Sequence, residues 1–99
     1  MDTSTQGQSS ETVQVWLVER TFSDDEQNIV ILLYATPDGT RVLRKERALT
    51  SFTGPARETS AAVEAEPQNL DSVDDPETRE RFATEAARMQ AEYAPDDAV

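Results

Sequence analysis

The chain has 99 residues, twenty of them acidic against nine basic, with no histidine and no cysteine, and its net charge of −11 gives a pI near 4.2. That length supports one domain. Without Cys or His there are no disulfides, no thiolate nucleophiles, no zinc sites of the Cys/His kind and no His-dependent catalytic triads.

Residues 1–11 are polar and carry only Met1 as an apolar side chain, so they are expected to be a disordered N-terminal tail. The next run, Thr12–Phe22 (TVQVWLVERTF), is rich in β-branched residues and predicts a strand. A polar turn at Ser23–Gln27 follows. Asn28–Thr36 (NIVILLYAT) is nearly all apolar and predicts a central strand. Pro37-Asp38-Gly39 is the strongest turn signal in the chain, because Pro presets φ and Gly supplies a positive one. It makes Arg41–Ser51 (RVLRKERALTS) a third strand antiparallel to the second. Gly54-Pro55 ends it. Arg57–Glu66 suits a fourth, weaker strand, with a short helix as the alternative; Pro67–Asp74 is then a loop.

The sharpest prediction is a helix from Pro76 to about Tyr93. Asp75 is a good N-cap, Pro76 suits the first helical position, and Glu77 and Glu80 complement the positive end of the dipole. Phe82, Ala86, Met89 and Tyr93 form one apolar stripe. Glu77–Arg81 and Arg81–Glu85 stand at ion-pair spacing, and Pro95 stops the helix. The expected architecture is α+β: an antiparallel meander of three or four strands with one C-terminal helix packed on one face. Residues 12–94 form the domain and 95–99 a C-terminal tail.

A three-residue loop at Pro37–Gly39 would set Thr36 opposite Thr40, Tyr34 opposite Val42 and Ile31 opposite Lys45. Pairing Phe22 with Asn28 would set Leu17 opposite Leu33. One face then holds Trp16, Val18, Val30, Leu32, Tyr34 and Val42, and the other Val13, Val15, Leu17, Ile29, Ile31, Leu33 and Leu43. A slip of one residue exchanges the faces. Both faces are apolar, and one helix covers only one. The other must be covered by residues 52–73 or by another chain, which makes a homodimer through a sheet face or an edge strand, or another protein on the apolar sheet face, the expected partner arrangement.

Charge is segregated. Residues 1–40 carry seven acids and one base, 41–57 five bases and one acid, and 58–99 twelve acids and three bases. The basic island supplies Arg41, Arg44, Lys45 and Arg47 as candidate contacts to an anion or partner, with Arg57 nearby. A nucleic-acid-associated regulator is the reading this suggests. Against it, no aromatic residues interleave with these cations and the net field repels nucleic acid. The plainer alternative is that the arginines pair with neighbouring carboxylates and lay their stems on the sheet. The acidic clusters Asp24-Asp25-Glu26, Asp71 with Asp74-Asp75, and Asp96-Asp97 match no EF-hand spacing. They are expected to be solvated surface, with no metal and no cofactor. Ser51–Gly54 lacks the glycines and lysine of a phosphate loop. Trp16, Phe82, Met89 and Tyr93 are expected in the core rather than around a ligand. A small carboxylate-based enzyme or ligand binder is a further alternative, but no pair among the twenty acids stands out, and no catalytic activity is expected.

Only Lys45 among the nine cations is lysine. That depletion, together with the segments Asp74–Phe82 (DDPETRERF) and Glu85–Met89 (EAARM), resembles small acidic haloarchaeal proteins of an uncharacterised family. The resemblance covers about a third of the chain. It implies a cytoplasm rich in KCl and supplies no catalytic residue. No apolar run reaches membrane-spanning length, and no basic segment followed by an apolar core opens the sequence, so no membrane contact and a cytoplasmic location are expected. The function expected is that of a non-catalytic interaction or structural protein of a halophile cytoplasm.

Overall fold

The computed structural model describes residues 11–23, 29–48 and 59–99. Residues 1–10 of the expected N-terminal tail, the expected turn at Ser23–Gln27 apart from Ser23, the end of the third predicted strand and Arg57 lie outside these. β1 (Val13–Ser23), β2 (Ile29–Ala35) and β3 (Arg41–Ala48) form an antiparallel meander. β4 (Ala62–Ala65) adds to the free side of β1, and the two-residue β5 (Asp71–Ser72) to β3, giving a sheet ordered β4-β1-β2-β3-β5. A 3-10 turn at Pro67–Asn69 lies between β4 and β5, and α1 (Pro76–Glu92) packs on β1. The fold is α+β, as expected, with five strands rather than three or four. β4 falls inside the segment left open between strand and helix, and β5 inside one expected to be loop.

α1 begins as its cap chemistry dictates. The Asp75 carboxylate accepts from the Thr78 amide at 3.0 Å, and Pro76 occupies the first turn. The Thr78 hydroxyl, donating to the same carboxylate at 2.7 Å, and then the Thr78 amide hold the exposed Asp75 carboxyl below the usual range. The buried stripe is Phe82, Ala86 and Met89, with Tyr93 half-buried after it. The charges pair differently from the spacing. Arg81 reaches Glu19 of β1 at 3.1 Å, while Arg88 pairs with both Glu85 and Glu92, which keeps the Arg88 guanidinium above its ordinary pKa.

The strand register departs from expectation by one residue, and the hairpin loop is the cause. Thr36 pairs with Arg41, its amide donating to the Arg41 carbonyl at 3.0 Å, so the loop has four residues rather than three. Asp38 binds the loop together. Its Oδ1 accepts from the Thr36 hydroxyl at 2.7 Å and from the amide and hydroxyl of Thr40 at 3.0 and 2.8 Å. Thr40 thus turns inward on Asp38 instead of pairing with Thr36. Tyr34 consequently faces Leu43, and Leu32 faces Lys45. In the first hairpin a bulge at Val18 leaves Leu17 opposite Tyr34 but Glu19 opposite Leu33 and Phe22 opposite Val30.

Opposite residues share a face. The first face therefore carries Val15, Leu17, Val30, Leu32, Tyr34 and Leu43, and the second Trp16, Ile29, Ile31, Leu33, Ala35 and Val42. Relative to β2, β3 and the Val13–Leu17 part of β1 are turned over from the expected arrangement, while beyond the bulge the shift is two residues and Arg20 and Phe22 keep the face that pairing Phe22 with Asn28 gives them. Covers exist on both sides. On the first face, Tyr34 donates its hydroxyl to the Ser60 carbonyl at 3.0 Å and Arg47 donates to Thr59 Oγ1 at 3.2 Å. On the second, the Arg81–Glu19 pair ties down α1. Val15, Trp16, Leu17, Leu32, Tyr34 and Ala35 are all buried. Trp16 Nε1 finds no hydrogen-bond partner among the described residues, an omission costing about 1–3 kcal/mol that the indole's apolar burial must exceed. Residues 95–99, expected as a tail, run beside 59–62: Ala61 and Ala62 donate to Asp97 and Pro95, and Val99 donates to Thr59.

Gly39 has φ 76°, and a Cβ there would lie 2.1 Å from the Arg79 carbonyl oxygen and 2.9 Å from the Ala83 nitrogen. The hairpin loop thus touches the backbone of α1, a contact only glycine permits. Gly39→Ala is expected to lower unfolding free energy by about 2–4 kcal/mol, combining the left-handed backbone penalty with overpacking, as measured by denaturant unfolding at fixed KCl. Asp38 has its carboxyl lowered to about 2, first by the Thr36 hydroxyl and then by the Thr40 amide and hydroxyl. Its unfolded value is near 3.9, so its stabilisation is complete above that pH and lost as pH falls toward 2. In Asp38→Asn, melting temperature is expected to fall less steeply with acid between pH 4 and 2 than in the parent chain.

Candidate interaction surface

β3 delivers the basic island, but the strand's two-residue period divides it. Lys45 and Arg47 stand on the first face, opposite Leu32 and Val30, and Arg41 shares that face two positions before Leu43. Arg44 stands on the second face opposite Leu33 and is ion-paired to Glu46 on that same face. Arg47 is half-buried and committed to Thr59. Arg41 is half-buried opposite Ser72 of β5. Of the four cations foreseen as one contact, Arg41, Lys45 and Arg47 thus share the first face and Arg44 stands on the second.

The register instead assembles a set that spacing along the chain did not show. Across β2, Lys45–Leu32–Arg20 form one row and Arg47–Val30–Phe22 the next. Leu32 and Val30 are 1% and 5% exposed, so the apolar centre of each row is closed, flanked by Lys45 and Arg20 in the first and by Arg47 and the Phe22 ring in the second. The Tyr34 phenol lies on this face with Arg20 and Arg47. Burial raises its pKa, while Arg47 and Arg20 pull it the other way.

Phe22 is the exception to burial. It is 61% exposed at the end of the β1–β2 ribbon. On the second face, Ile29, Ile31 and Leu33 of β2 are only half-buried. Nearby, the bulged stretch of β1 borders a groove of about 310 Å³ whose opposite wall includes Met89, Tyr93 and Val99. Arg20 and Arg88 stand along it with Glu19 and Glu85, two charges of each sign. Phe22 was not singled out from the sequence because it closes an alternating strand and looks like another core position.

Among the described residues no group of three or more carboxylates is placed to hold a metal ion. Asp75 caps α1 and Asp97 accepts from the Ala94 amide at 2.8 Å; Asp24, Asp25 and Glu26 lie outside the described residues. Trp16, Phe82 and Met89 are core. No helix among the described residues is long and apolar enough to cross a membrane.

The face assignment has a direct check in alkaline titration of Tyr34. Removing a cation that favours the phenolate raises the pKa further. Arg47→Ala and Arg20→Ala are expected to move the Tyr34 titration upward, and Arg44→Ala, on the opposite face, to leave it in place.

These features now meet what is known of related chains. The chain belongs to a family of unknown function (DUF7967), whose profile matches residues 9–99. No curated protein and no solved structure matches it.

Proposed function

We propose that this protein is a non-catalytic interaction module of a salt-rich cytoplasm and that its first partner is a second copy of itself, engaged through the sheet. The observation that carries this reading is the apolar surface at the ribbon end. Phe22 is exposed and Ile29 and Ile31 are half-buried, beyond the part of β1 that α1 and β4 protect. A sheet whose middle strand is apolar on both faces has more surface to cover than one helix supplies. Burying a side chain the size of Phe22 contributes about 1.5–3 kcal/mol, enough to matter at an interface.

The acidic surface fits the same setting. Two copies at −11 each repel one another in dilute buffer. At molar salt the screening length falls to about 3 Å, so the repulsion is confined to touching groups while the apolar contact remains. The near-absence of lysine and the excess of carboxylates support a molecule adapted to brine.

Sedimentation equilibrium tests both parts. In 2–3 M KCl the 11.0 kDa chain is expected to run as a dimer, with a dissociation constant at least tenfold lower than in 0.1 M KCl. Its melting temperature is expected to rise over the same range. A monomer at every concentration up to about 1 mM in both salts would refute the self-association, and a salt-independent melting temperature would remove the brine adaptation.

A further inference from the structure

We propose that the dimer forms by antiparallel pairing of β1 with β1 of the second copy, about a twofold axis that passes through Thr21. This rests on the reading above that the partner is a second copy, and it names the edge and the register.

β1 is two strands long in its pairing. Val13–Trp16 are covered on the outer side by β4, and the last bond on that side is Leu17 donating to the Ala61 carbonyl at 2.9 Å. From Val18 to Ser23, β1 pairs only with β2 among the described residues. That leaves an outer edge of backbone donors and acceptors suited to strand addition. The outer edge of β3 also runs beyond its short partner β5, but it carries Arg44-Lys45-Glu46-Arg47. Like-charged side chains and a lysine are what keep an edge from self-pairing. The free stretch of β1, Glu19-Arg20-Thr21-Phe22, has no such block.

Symmetry leaves few registers. In one continuous antiparallel sheet, opposite residues point to the same face. A twofold normal to that sheet preserves faces, so it must pass through a residue and not between two. An axis through Glu19 sets carboxylate against carboxylate and drives the strand end into the partner's β4. An axis through Arg20 sets guanidinium against guanidinium. An axis through Phe22 sets ring against ring and, among the described residues, pairs only Thr21 with Ser23 on each side of it. Thr21 remains: it meets the partner's Thr21, a favourable strand pair, and Arg20 lies opposite the partner's Phe22, with the reciprocal contact on the other side of the axis.

That register gives Phe22 its cover. Each exposed ring receives the partner's Arg20 guanidinium, a cation–π arrangement that is not lost to salt as a long-range ion pair is. Each Arg20 in turn gains an aromatic face. The contact is isologous, so it closes as a dimer and leaves no edge to propagate a fibre.

The absence of cysteine from the whole chain allows a clean test. In Thr21→Cys the two introduced thiols lie opposite one another with Cβ atoms about 5 Å apart, within the range a small adjustment makes bridgeable. In Glu19→Cys they are separated by four residues of strand, about 13 Å. Under mild oxidation in 2–3 M KCl, Thr21→Cys is expected to give at least tenfold more covalent dimer than Glu19→Cys, and Phe22→Asp to raise the dissociation constant of the otherwise native chain at least tenfold. Both cysteine variants are exposed or half-exposed substitutions, and circular dichroism confirms that they fold. Equal cross-linking of the two, or a dimer unaffected by Phe22→Asp, would overturn the β1 edge while leaving self-association standing. A native chain that stays monomeric would overturn both.

Discussion

β2 is the strand on which the rest of the molecule depends. Val30, Leu32 and Tyr34 point to one face and are 5%, 1% and 1% exposed, while Ile29, Ile31 and Leu33 point to the other. A strand that is apolar on both sides has no wet face to offer. The chain must therefore place something over each side, and its topology follows. Leaving β3 it passes toward β4, and residues 59–60 bond to Tyr34 and Arg47 on the first face. Leaving β5 it returns as α1, tied by Arg81 to Glu19 on the second. The two covers meet where residues 95–99 bond to 59–62, so the end of the described chain closes what its middle began.

The cover is complete over the Val15–Leu17 stretch of β1 and the hairpin loop and thins toward the ribbon end. Gly39 brings the loop against the backbone of α1 at one end of the sheet. At the other, Phe22 stands in solvent and the outer edge of β1 has no partner among the described residues. Close packing and exposed apolar surface thus lie at opposite ends of the same three strands. The basic residues follow the same logic. Arg20 and Lys45 flank a closed apolar position, and Arg44 is neutralised by Glu46. Their placement suits edges and rims better than a polyanion platform.

Much of the fold was legible because its signals are local. Asp75-Pro76 and the Phe82–Met89 stripe define α1 within a residue, since caps and the 3.6-residue period act within a few positions. β1, β2 and β3 were legible from β-branched and apolar runs. The weak Ala62–Ala65 strand was legible only as one of two alternatives, because Ala and Glu favour a helix and only pairing with Val13–Trp16 decides otherwise. β5 carries no apolar signal; Asp71 and Ser72 are strand because Arg41 and Val42 lie beside them.

The amino-acid order by itself determined the fold class, the missing chemistries, the acidic surface and the existence of an apolar central strand, all properties of composition and short-range pattern. The tertiary structure alone decided the register. Whether Pro37-Asp38-Gly39 turns in three residues or four depends on Asp38 gathering Thr36 and Thr40, and whether β1 bulges at Val18 depends on what packs on each side of it. Side chains alternate with a period of two, so a single residue in a loop turns a whole strand over. That is why Lys45 and Arg47 came to share the face of Arg20 and Phe22, while the alternation along β3 itself sets Arg44 apart from them.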